Sequence, residues 1–396
     1  MNIKLFIKKN LIVILKLIDI IYPKKKTYWI FPVYFIGEGN FSDNMLAVFE
    51  EVKNNERIKK IILTRNKKID VEGKNTVILP MNSYKAIWFL LQAKVIFVQH
   101  SLWLDLKEIK FKFYHPAKRI IVNLWHGIPI KDISHPNTGI IKKNVYKEMK
   151  EYRIITSSEI DKKNMIKAFK YTPKDNFWIT GLPRNDFLLK DERDMPKNLR
   201  KEIKKLNDLL KGRKLILYAP TYREINVDGS YYYEFNSDQI NVMRKWLKEN
   251  NYVLGIRYHI YLQPTNFNYL FQSDSFLNLS ANIISDVRIL IKYSEAVITD
   301  YSSLFVDALY IDKPCISFAY DYEHYLNQQR GFFYEFSEIF PGKICKTFEC
   351  LMHSLRSINE SNNNSRQQRI KKILFHYLDD KNSFRVVEKL KKELDL

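Results

Sequence analysis

The stretch "EAVITDYSSLFVDALYIDKPCISF" (295–318) predicts the fold of the chain. Its first six residues form a short run, rich in apolar residues, of the kind that is typical of a buried strand. Apolar residues at helical spacing follow from Leu304 to Leu309, and "PCISF" (314–318) is a second strand-like run. A strand, a helix and a strand in this order predict two parallel strands in a sheet that helices cover.

Similar strand-like runs occur along most of the chain, and a charged stretch without strands (187–213) divides them into two series. The first series lies at 27–35, 58–64, 75–80, 93–99, 119–125, 152–158 and 176–181, with helical patterns such as 41–55 between several runs. The second series lies at 214–221, 251–259, 281–286, 295–300 and 314–318. Two α/β halves with a cleft between them are therefore predicted.

The composition favours an anionic partner. Among 396 residues, 65 Lys and Arg stand against 44 Asp and Glu, which gives a formal net charge of +21. Nucleic acid, anionic lipid and phosphate-rich molecules all fit this charge, and a codon bias toward Lys is the alternative explanation. Basic and aromatic residues are dispersed, so no nucleic-acid module is predicted. The three cysteines form no CxxC pair, which disfavours a disulfide framework and a zinc site and favours the cytosol.

The first 26 residues, "MNIKLFIKKNLIVILKLIDIIYPKKK", are apolar and basic. Lys16 and Asp19 interrupt the apolar run and no small-residue cleavage site follows, so neither a spanning helix nor a signal peptide is favoured. Two interpretations remain for this segment. One is an amphipathic helix that lies in the cytoplasmic membrane interface, and the other is a first helix packed on its own domain.

Polar residues follow the predicted strands of the second half, where open parallel sheets bind ligands. Asp300, Ser302 and Ser303 follow one strand and open a helix, whose free N–H groups and dipole attract phosphate. A simple helix cap is the alternative role for these serines. Thr221 and Arg223 follow another strand and offer a hydroxyl and a guanidinium suited to phosphate.

Two histidines also follow predicted strands. His126 lies in "NLWHGIPIK" (123–131), where Gly127 permits a tight turn, and a neutral imidazole there could accept a proton from an attacking hydroxyl. His259 ends another strand two residues after Arg257, on the same face. It could stabilise a phosphoryl oxygen or protonate a leaving group, and a structural role is the alternative. Arg184, in "GLPRND" (181–186), closes the first half.

Several motifs of other enzyme classes are absent from the sequence. The chain contains no GxGxxG and no GxxxxGK[ST], which disfavours Rossmann dehydrogenases and P-loop enzymes. It also contains no HExxH and no GxSxG nucleophile elbow.

Five stretches, in this order, resemble the CDP-glycerol glycerophosphotransferase family, the teichoic acid primases and polymerases of Gram-positive walls and related capsule enzymes. They are "NLWHGIPIK" (123–131), "ITGLPRND" (179–186), "LYAPTYRE" (217–224), "VITDYSSLFVDALYIDKP" (297–314) and "YDYEHYLNQQRGFFYEF" (320–336). The resemblance implies a GT-B-like fold, with two Rossmann-like parallel-sheet domains that face a central cleft.

With this resemblance, the predicted organisation has five parts. They are a membrane-associating segment (1–26), an acceptor-side domain (27–190), a charged linker (191–213), a CDP-polyol donor domain (214–358) and C-terminal helices that pack back across the halves (359–396).

The resemblance also implies an activity. Family members transfer a polyol phosphate from a CDP-polyol to a hydroxyl of a lipid-linked acceptor and release CMP. We therefore expect transfer of glycerol phosphate from CDP-glycerol in teichoic acid or capsular polymer synthesis. A CDP-ribitol enzyme, a GT-B glycosyltransferase that uses a nucleotide sugar, and a non-enzymatic basic membrane- or nucleic-acid-binding protein are the alternatives.

Motif by motif, the resemblance assigns roles to residues. His126 matches the first active-site histidine of the family and is our predicted general base. His259 lies in the region of the second, where the family more often has His-Pro and this chain has His259-Ile260. The Asp300, Ser302 and Ser303 segment matches the donor-diphosphate site. Two further predicted donor contacts, Arg330 and Gly331, lie in the "RGF" match.

The expected partners follow from the same assignment. They are CDP-glycerol or CDP-ribitol, an undecaprenyl-linked saccharide or polyol-phosphate acceptor, and an anionic membrane surface, with no nucleic acid. We expect a peripheral protein on the cytoplasmic face of the cell membrane. The sequence predicts no metal ligands and requires no cofactor, although Mg²⁺ bound through the donor diphosphate is compatible with it.

Overall fold

The structure is a computed structural model that describes most of the chain. The described residues are 3–33, 41–65, 69–109, 118–134, 149–221, 232–258, 267–328, 331–358 and 365–396. They form two compact units. The first unit comprises Met1–Gly127, Pro136–Asp186 and Asp379–Leu396, and the second comprises Ile128–His135 and Phe187–Leu378.

Strands and helices alternate through both units. The strands among the described residues are β1 (Lys25–Pro32), β2 (Lys59–Thr64), β3 (Thr76–Pro80), β4 (Ala93–Val98), β5 (Ile120–Asn123), β6 (Tyr152–Thr156), β7 (Phe177–Ile179), β8 (Lys214–Tyr218), β9 (Tyr252–Ile256), β10 (Phe276–Asn278), β11 (Ser294–Thr299), β12 (Cys315–Phe318) and β13 (Lys343–Cys345). The helices are α1 (Ile3–Ile21), α2 (Asp43–Val52), α3 (Tyr84–Gln92), α4 (Leu102–Asp105), α5 (Glu159–Ala168), α6 (Asp186–Leu189), α7 (Lys197–Leu210), α8 (Ser237–Glu249), α9 (Val287–Tyr293), α10 (Leu304–Tyr310), α11 (Tyr322–Gln328), α12 (Phe336–Ile339), α13 (Phe348–Arg356), α14 (Ser365–Leu374) and α15 (Asn382–Leu394).

The first unit contains a seven-stranded sheet in the order β3-β2-β1-β4-β5-β6-β7. Every pair of neighbouring strands is parallel, and Ile30 of β1 lies opposite Ile61 of β2 and Ile96 of β4. These three side chains have no solvent exposure, which explains the near-continuous apolar runs in the sequence. The strand order reverses between β1 and β4, and ligands bind at such a position in doubly wound sheets.

The second unit contains a six-stranded parallel sheet in the order β10-β9-β8-β11-β12-β13. Its order reverses between β8 and β11. The prediction of two parallel-sheet α/β domains is therefore confirmed. The strand predicted at residues 281–286 was wrong, because these residues form a turn. The carbonyl of Ser280 accepts hydrogen bonds from the N–H groups of Ile283 (2.9 Å) and Ile284 (3.1 Å) in this turn.

The charged stretch predicted as a linker (191–213) belongs to the second unit. Helix α7 buries Leu199, Ile203, Leu206 and Leu210, which lie on one face at helical spacing. From the same helix, the Glu202 carboxylate accepts hydrogen bonds from the backbone N–H groups at 285 (3.0 Å) and 286 (3.1 Å). The high charge of this stretch therefore marks the solvated face of a packed helix.

The C-terminal helices divide between the units. Helix α14 lies in the second unit, whereas α15 lies in the first. The carboxylate of Asp186 accepts hydrogen bonds from the backbone N–H groups of Asn382 (2.9 Å) and Ser383 (2.8 Å) at the start of α15. This buried carboxylate therefore caps a helix that lies almost two hundred residues later in the chain.

Helix α1 packs on the first unit through a buried ionic cluster. Asp19 is 1% exposed, and it forms ion pairs with Arg119 and with Lys24 (2.9 Å). The second of the two interpretations of this segment, a helix packed on its own domain, therefore describes one face of α1. In the part of the chain that the structure describes, no helix combines the length and apolarity needed to cross a bilayer.

Candidate active site

The loop that carries His126 follows β5 and is held by side-chain amides. The side-chain amide oxygen of Asn123, Oδ1, accepts a hydrogen bond from the N–H of Trp125 (2.9 Å). The Asn44 amide donates to the carbonyls of Leu124 (2.9 Å) and Trp125 (3.1 Å). Trp125 has a φ of 44° and Gly127 a φ of 137°, so two residues of this turn adopt left-handed backbone conformations. The turn therefore depends on side chains from neighbouring elements.

Arg184 supports the same turn. Its Nη1 donates to the His126 carbonyl (2.7 Å) and lies 3.6 Å from Asp43 Oδ2, and its backbone N–H donates to the Asn44 amide oxygen (2.9 Å). A Cβ atom at Gly127 would lie 2.8 Å from Arg184 Nη2, closer than van der Waals contact allows. The structure thus brings two predicted site residues together, with Arg184 bonded to the backbone of the histidine loop. Its contact with substrate stays a prediction.

The contacts of the His126 imidazole favour one tautomer. Its ring stacks on the rings of Trp125 (centroids 4.2 Å apart) and His100 (4.3 Å). Its Nδ1 lies 3.2 Å from the carbonyl oxygen of Gln99. Because a carbonyl can only accept a hydrogen bond, the neutral ring carries its proton on Nδ1 and has a lone pair on Nε2. This is the tautomer that a general base at Nε2 requires.

The surroundings of His126 favour its neutral form. Burial of the ring lowers the pKa of His126 to about 4, against the opposing effects of Asp43 and of the hydrogen bond to Gln99, while Arg184 lowers it further. The residue also has an exposed surface, so water moderates this shift. The direction of the shift keeps the imidazole neutral at pH 7, and the exposed surface gives a substrate access to it.

Two residues of this site, His100 and Asp105, were not predicted from the sequence. His100 follows β4, and burial together with the nearby His126 lowers its pKa to about 3. Asp105 is 1% exposed in α4, and its Oδ2 accepts from the N–H groups of Gln99 (2.7 Å) and His100 (3.0 Å). Burial raises the pKa of Asp105 to about 6, although these two hydrogen bonds oppose the shift. His100 directly follows the predicted strand 93–99, so the rule that located His126 would also have located it.

In the second unit, Asp300 connects the ends of β8 and β11, the two neighbouring strands between which the strand order of the sheet reverses. Its Oδ1 accepts from the backbone N–H groups of Thr221 (2.8 Å), beyond β8, and Tyr301 (2.6 Å), beyond β11. Asp300 is 1% exposed. The structure therefore brings the predicted residues Thr221 and Asp300 together, with the carboxylate bonded to backbone. Their contacts with the donor stay predictions.

The two serines that follow lie at the start of α10 and are partly exposed. The Ser302 hydroxyl accepts a hydrogen bond from the N–H of Leu304 (3.3 Å), and Ser303 occupies the N-cap position. The alternative role as a helix cap is therefore observed for the Ser302 hydroxyl, whereas the Ser303 side chain makes no capping hydrogen bond. The predicted diphosphate contact remains a prediction.

The side chain of Arg257 forms hydrogen bonds with the backbone of the loop after β10. Its guanidinium donates to the carbonyls of Leu279 (3.1 Å), Ser285 (3.0 Å) and Ile284. Burial lowers the pKa of Arg257 to about 10, against the opposing carboxylates of Asp286 and Glu202. These bonds hold the loop at 279–285, and a phosphate contact of Arg257 stays a prediction.

Gly331 pairs with the segment that follows the histidine loop in the chain. Its carbonyl accepts from the N–H of Asp132 (2.7 Å), and Lys131 and Phe332 form an antiparallel bridge in the second unit. Residues 130–132, at the end of the first of these two family stretches (123–131) and just beyond it, thus pair with residues 331–333 of the second (320–336). The other predicted site residues, His259, Arg223 and Arg330, lie outside the described residues.

The family model of CDP-glycerol:poly(glycerophosphate) glycerophosphotransferase matches residues 15–392. The chain belongs to this family. The family predicted from the five stretches is therefore confirmed, and with it the assignment of the protein as a transferase of this class.

Named relatives and a solved structure agree with this membership. The chain is 29% identical over 389 residues to a teichoic acid poly(glycerol phosphate) polymerase of Bacillus spizizenii, covering 93% of each chain. It is 27% identical to a teichoic acid poly(ribitol-phosphate) polymerase of the same organism, covering 75% of this chain and 46% of that longer relative. It also superimposes on the wall teichoic acid polymerase TagF soaked with CDPG, with a TM-score of 0.76, 22% identity and coverage of 100% and 99%. The glycerophosphotransferase fold of this chain is therefore GT-B-like, as predicted.

Proposed function

We propose that this protein transfers glycerol phosphate from CDP-glycerol to a hydroxyl group of a membrane lipid-linked acceptor, in teichoic acid or capsular polymer synthesis, and releases CMP. One observation carries the proposal beyond family membership. The hydrogen bond from His126 Nδ1 to the Gln99 carbonyl leaves a lone pair on Nε2 of an accessible, neutral imidazole. Such a group can remove the proton of an acceptor hydroxyl.

The proposed reaction is a single displacement at phosphorus. As Nε2 of His126 takes the proton, the acceptor oxygen attacks the β-phosphorus of CDP-glycerol. The bond from this phosphorus to the bridging oxygen breaks, and CMP leaves with the electron pair. Positive charge and N–H donors stabilise the phosphoryl oxygens in reactions of this kind. We assign this role to His259, to the start of α10 at Ser302 and Ser303, and to Arg223 or Arg257.

The similarity to known relatives supports glycerol phosphate over ribitol phosphate. The poly(glycerol phosphate) polymerase of Bacillus spizizenii is 29% identical to this chain over 93% of both lengths, whereas the ribitol-phosphate primase of the same organism is 23% identical over 89% of this chain and 88% of its own length. CDP-ribitol remains the alternative donor within this family.

The surface of the first unit supports a peripheral position on the membrane. Opposite Asp19, one face of α1 exposes Val13 (55%), Leu17 (55%) and Ile21 (77%), and Trp88 of α3 is 51% exposed. Exposed apolar residues on a helix that also carries lysines are typical of a segment that lies in the membrane interface. Lys24 does not add positive charge to this exposed surface, because its side chain is only 3% exposed and is paired with Asp19. We therefore propose that α1 brings the enzyme to its lipid-linked acceptor on the cytoplasmic face.

A donor assay tests the function. The purified protein is incubated with CDP-glycerol, CDP-ribitol or a UDP- or GDP-sugar, each with and without a lipid-linked acceptor, and the released nucleotide is measured. We expect acceptor-dependent CMP from CDP-glycerol. Release of UDP or GDP with sugar incorporation would instead identify a glycosyltransferase, and no CMP from any CDP-polyol would overturn the proposal. Parallel reactions with Mg²⁺ and with EDTA determine whether a metal assists the donor diphosphate.

A further inference from the structure

One peptide group connects a buried carboxylate with the imidazole of His126. The N–H of His100 donates to Asp105 Oδ2 over 3.0 Å. The carbonyl of the same peptide, that of Gln99, accepts from His126 Nδ1 over 3.2 Å. Asp105 also accepts from the N–H of Gln99 (2.7 Å), so the carboxylate holds both residues that end β4. The order is therefore carboxylate, peptide N–H, peptide carbonyl and imidazole.

We propose that Asp105 is a positioning residue for His126 and acts through the peptide group between Gln99 and His100. Hydrogen bonds that are linked in a chain polarise one another, so a carboxylate at the N–H makes the carbonyl oxygen a stronger acceptor. The carbonyl then holds the proton of the ring on Nδ1 and stabilises the positive charge that forms when Nε2 accepts a proton. In a Ser-His-Asp triad the aspartate itself accepts the Nδ1–H hydrogen bond and stabilises the protonated imidazole, with no peptide group between them. The inference rests on the proposed role of His126 as the base.

The charges around this chain of hydrogen bonds determine its pH dependence. Burial raises the pKa of Asp105 to about 6, so the carboxylate is ionised at pH 7.5 and mostly protonated at pH 5. Its neighbours include the His100 Nδ1 at 3.8 Å from Oδ1, and Arg65, which is itself paired with Glu108. Asp43 and Arg184 face the His126 end.

The alternative is that Asp105 only holds the turn between β4 and α4. Asp161 provides a matched control for that role, because it is a carboxylate of the same unit that is 2% exposed and accepts from the N–H of Ser157 over 2.8 Å. Burial raises its pKa to about 7. The described hydrogen bond of its carboxylate goes to Ser157 and not to the His126 loop, so Asp161→Asn reproduces the loss of a buried carboxylate without the connection to His126.

The first measurement is the tautomer of His126, observed by NMR of protein labelled with ¹⁵N-histidine. We expect the Nδ1–H form in the wild type and in Asp161→Asn, and a mixture of both forms in Asp105→Asn. The second measurement is kcat with CDP-glycerol from pH 5 to 8. We expect wild type and Asp161→Asn to lose activity below pH 6. Asp105→Asn should be about 10-fold slower than wild type at pH 7.5 and nearly equal to it at pH 5.

An unchanged tautomer and an unchanged pH profile in Asp105→Asn would overturn the proposal, as would equal effects of Asp161→Asn. If Asp105→Asn does not fold, a pH titration of the wild-type protein tests the proposal instead. The ¹⁵N signals of His126 should then shift with an apparent pKa near 6. Constant signals across this pH range would contradict the proposal. The NMR readout requires no turnover. An absence of CMP from every CDP-polyol would therefore reject the proposed function and leave the test of Asp105 intact.

Discussion

The guanidinium of Arg184 donates a hydrogen bond to the backbone carbonyl of His126, over 2.7 Å and across 58 residues of sequence. Two stretches that resemble the same enzyme family are therefore joined inside the first unit. The arginine holds the loop from which the imidazole projects, and Gly127 leaves the space that its guanidinium occupies. The geometry of the proposed base thus depends on a residue that need not touch the substrate.

Replacement of His126 by glutamine tests the proposed base. Glutamine keeps a polar side chain but cannot accept a proton at pH 7, so kcat should fall by at least about 10²-fold with little change in the KM for CDP-glycerol. CMP release measures both constants. His353→Gln, at an exposed position of α13, is the matched histidine variant and should behave as wild type. Near-normal turnover of His126→Gln would exclude this residue as the base.

Gly127→Ala should damage the same loop without removing the imidazole. The new Cβ would lie 2.8 Å from Arg184 Nη2, and the φ of 137° adds backbone strain, so we expect a loss of about 1–3 kcal/mol of stability together with a lower kcat. Gly212→Ala separates the two effects, since Gly212 has a φ of 77° and no atom within 4 Å of the added Cβ. It should lose stability and retain kcat. Equal kcat in both variants would contradict a role for the Arg184 contact.

Membrane binding should depend on the exposed face of α1. Replacing Val13, Leu17 and Ile21 together by serine removes apolar side chains that are more than half exposed, so the folded state should tolerate the change. We expect at least about 10-fold weaker co-sedimentation with anionic vesicles.

The control for this surface is a second serine triple at exposed apolar positions elsewhere, Val242, Leu378 and Phe384. It should bind vesicles as the wild type does. Turnover with a detergent-solubilised acceptor should be similar in both triples. Equal vesicle binding by both would show that α1 is not the membrane contact.

The low pKa of His100 predicts how stability changes with pH. Burial lowers this pKa to about 3, whereas the same group in an unfolded chain titrates near 6.5. Between these values the unfolded chain binds a proton that the folded chain does not bind. The free energy of unfolding should therefore decrease as the pH falls, by up to about 1.4 kcal/mol per pH unit from this group.

Urea unfolding at pH 7 and pH 5 measures this effect. His100→Gln removes the group, so the variant should lose less stability than wild type over this interval. His353→Gln removes an exposed histidine and should keep the wild-type difference. Equal pH dependence in wild type and His100→Gln would contradict the burial of a neutral imidazole at position 100.

Most strands could be predicted because their signal is local. The run 93–99 corresponds to β4 and the run 295–300 to β11, since strands buried on both faces consist of consecutive apolar residues. Strand β13, which has only three residues, was not predicted. The run 281–286 has strand-like composition but forms a turn. Helix α7 lies in the stretch that the sequence predicts as a linker, because charged residues on its exposed face dominate the composition of that stretch.

The residues of the candidate site also fall into a group that the sequence predicted and a group that it did not. Its motifs located His126, and the strand ends located Asp300 and Thr221. The supporting partners were not predictable, because a hydrogen bond between distant residues leaves no local pattern. The carboxylate of Asp105 gains its role only because the turn after β4 folds back on the N–H groups of Gln99 and His100.

The amino-acid sequence by itself determined that this protein has two parallel-sheet domains, belongs to a family of glycerophosphotransferases and has a histidine after its fifth strand. Tertiary structure alone decided which nitrogen of His126 holds the proton, that Arg184 bonds to the histidine loop, and that Asp186 caps the last helix. The physical reason is the range of the interactions. Apolar patterns act over a few residues, whereas these hydrogen bonds join positions 27, 58 and 196 residues apart, which only the order of strands in the sheet brings together.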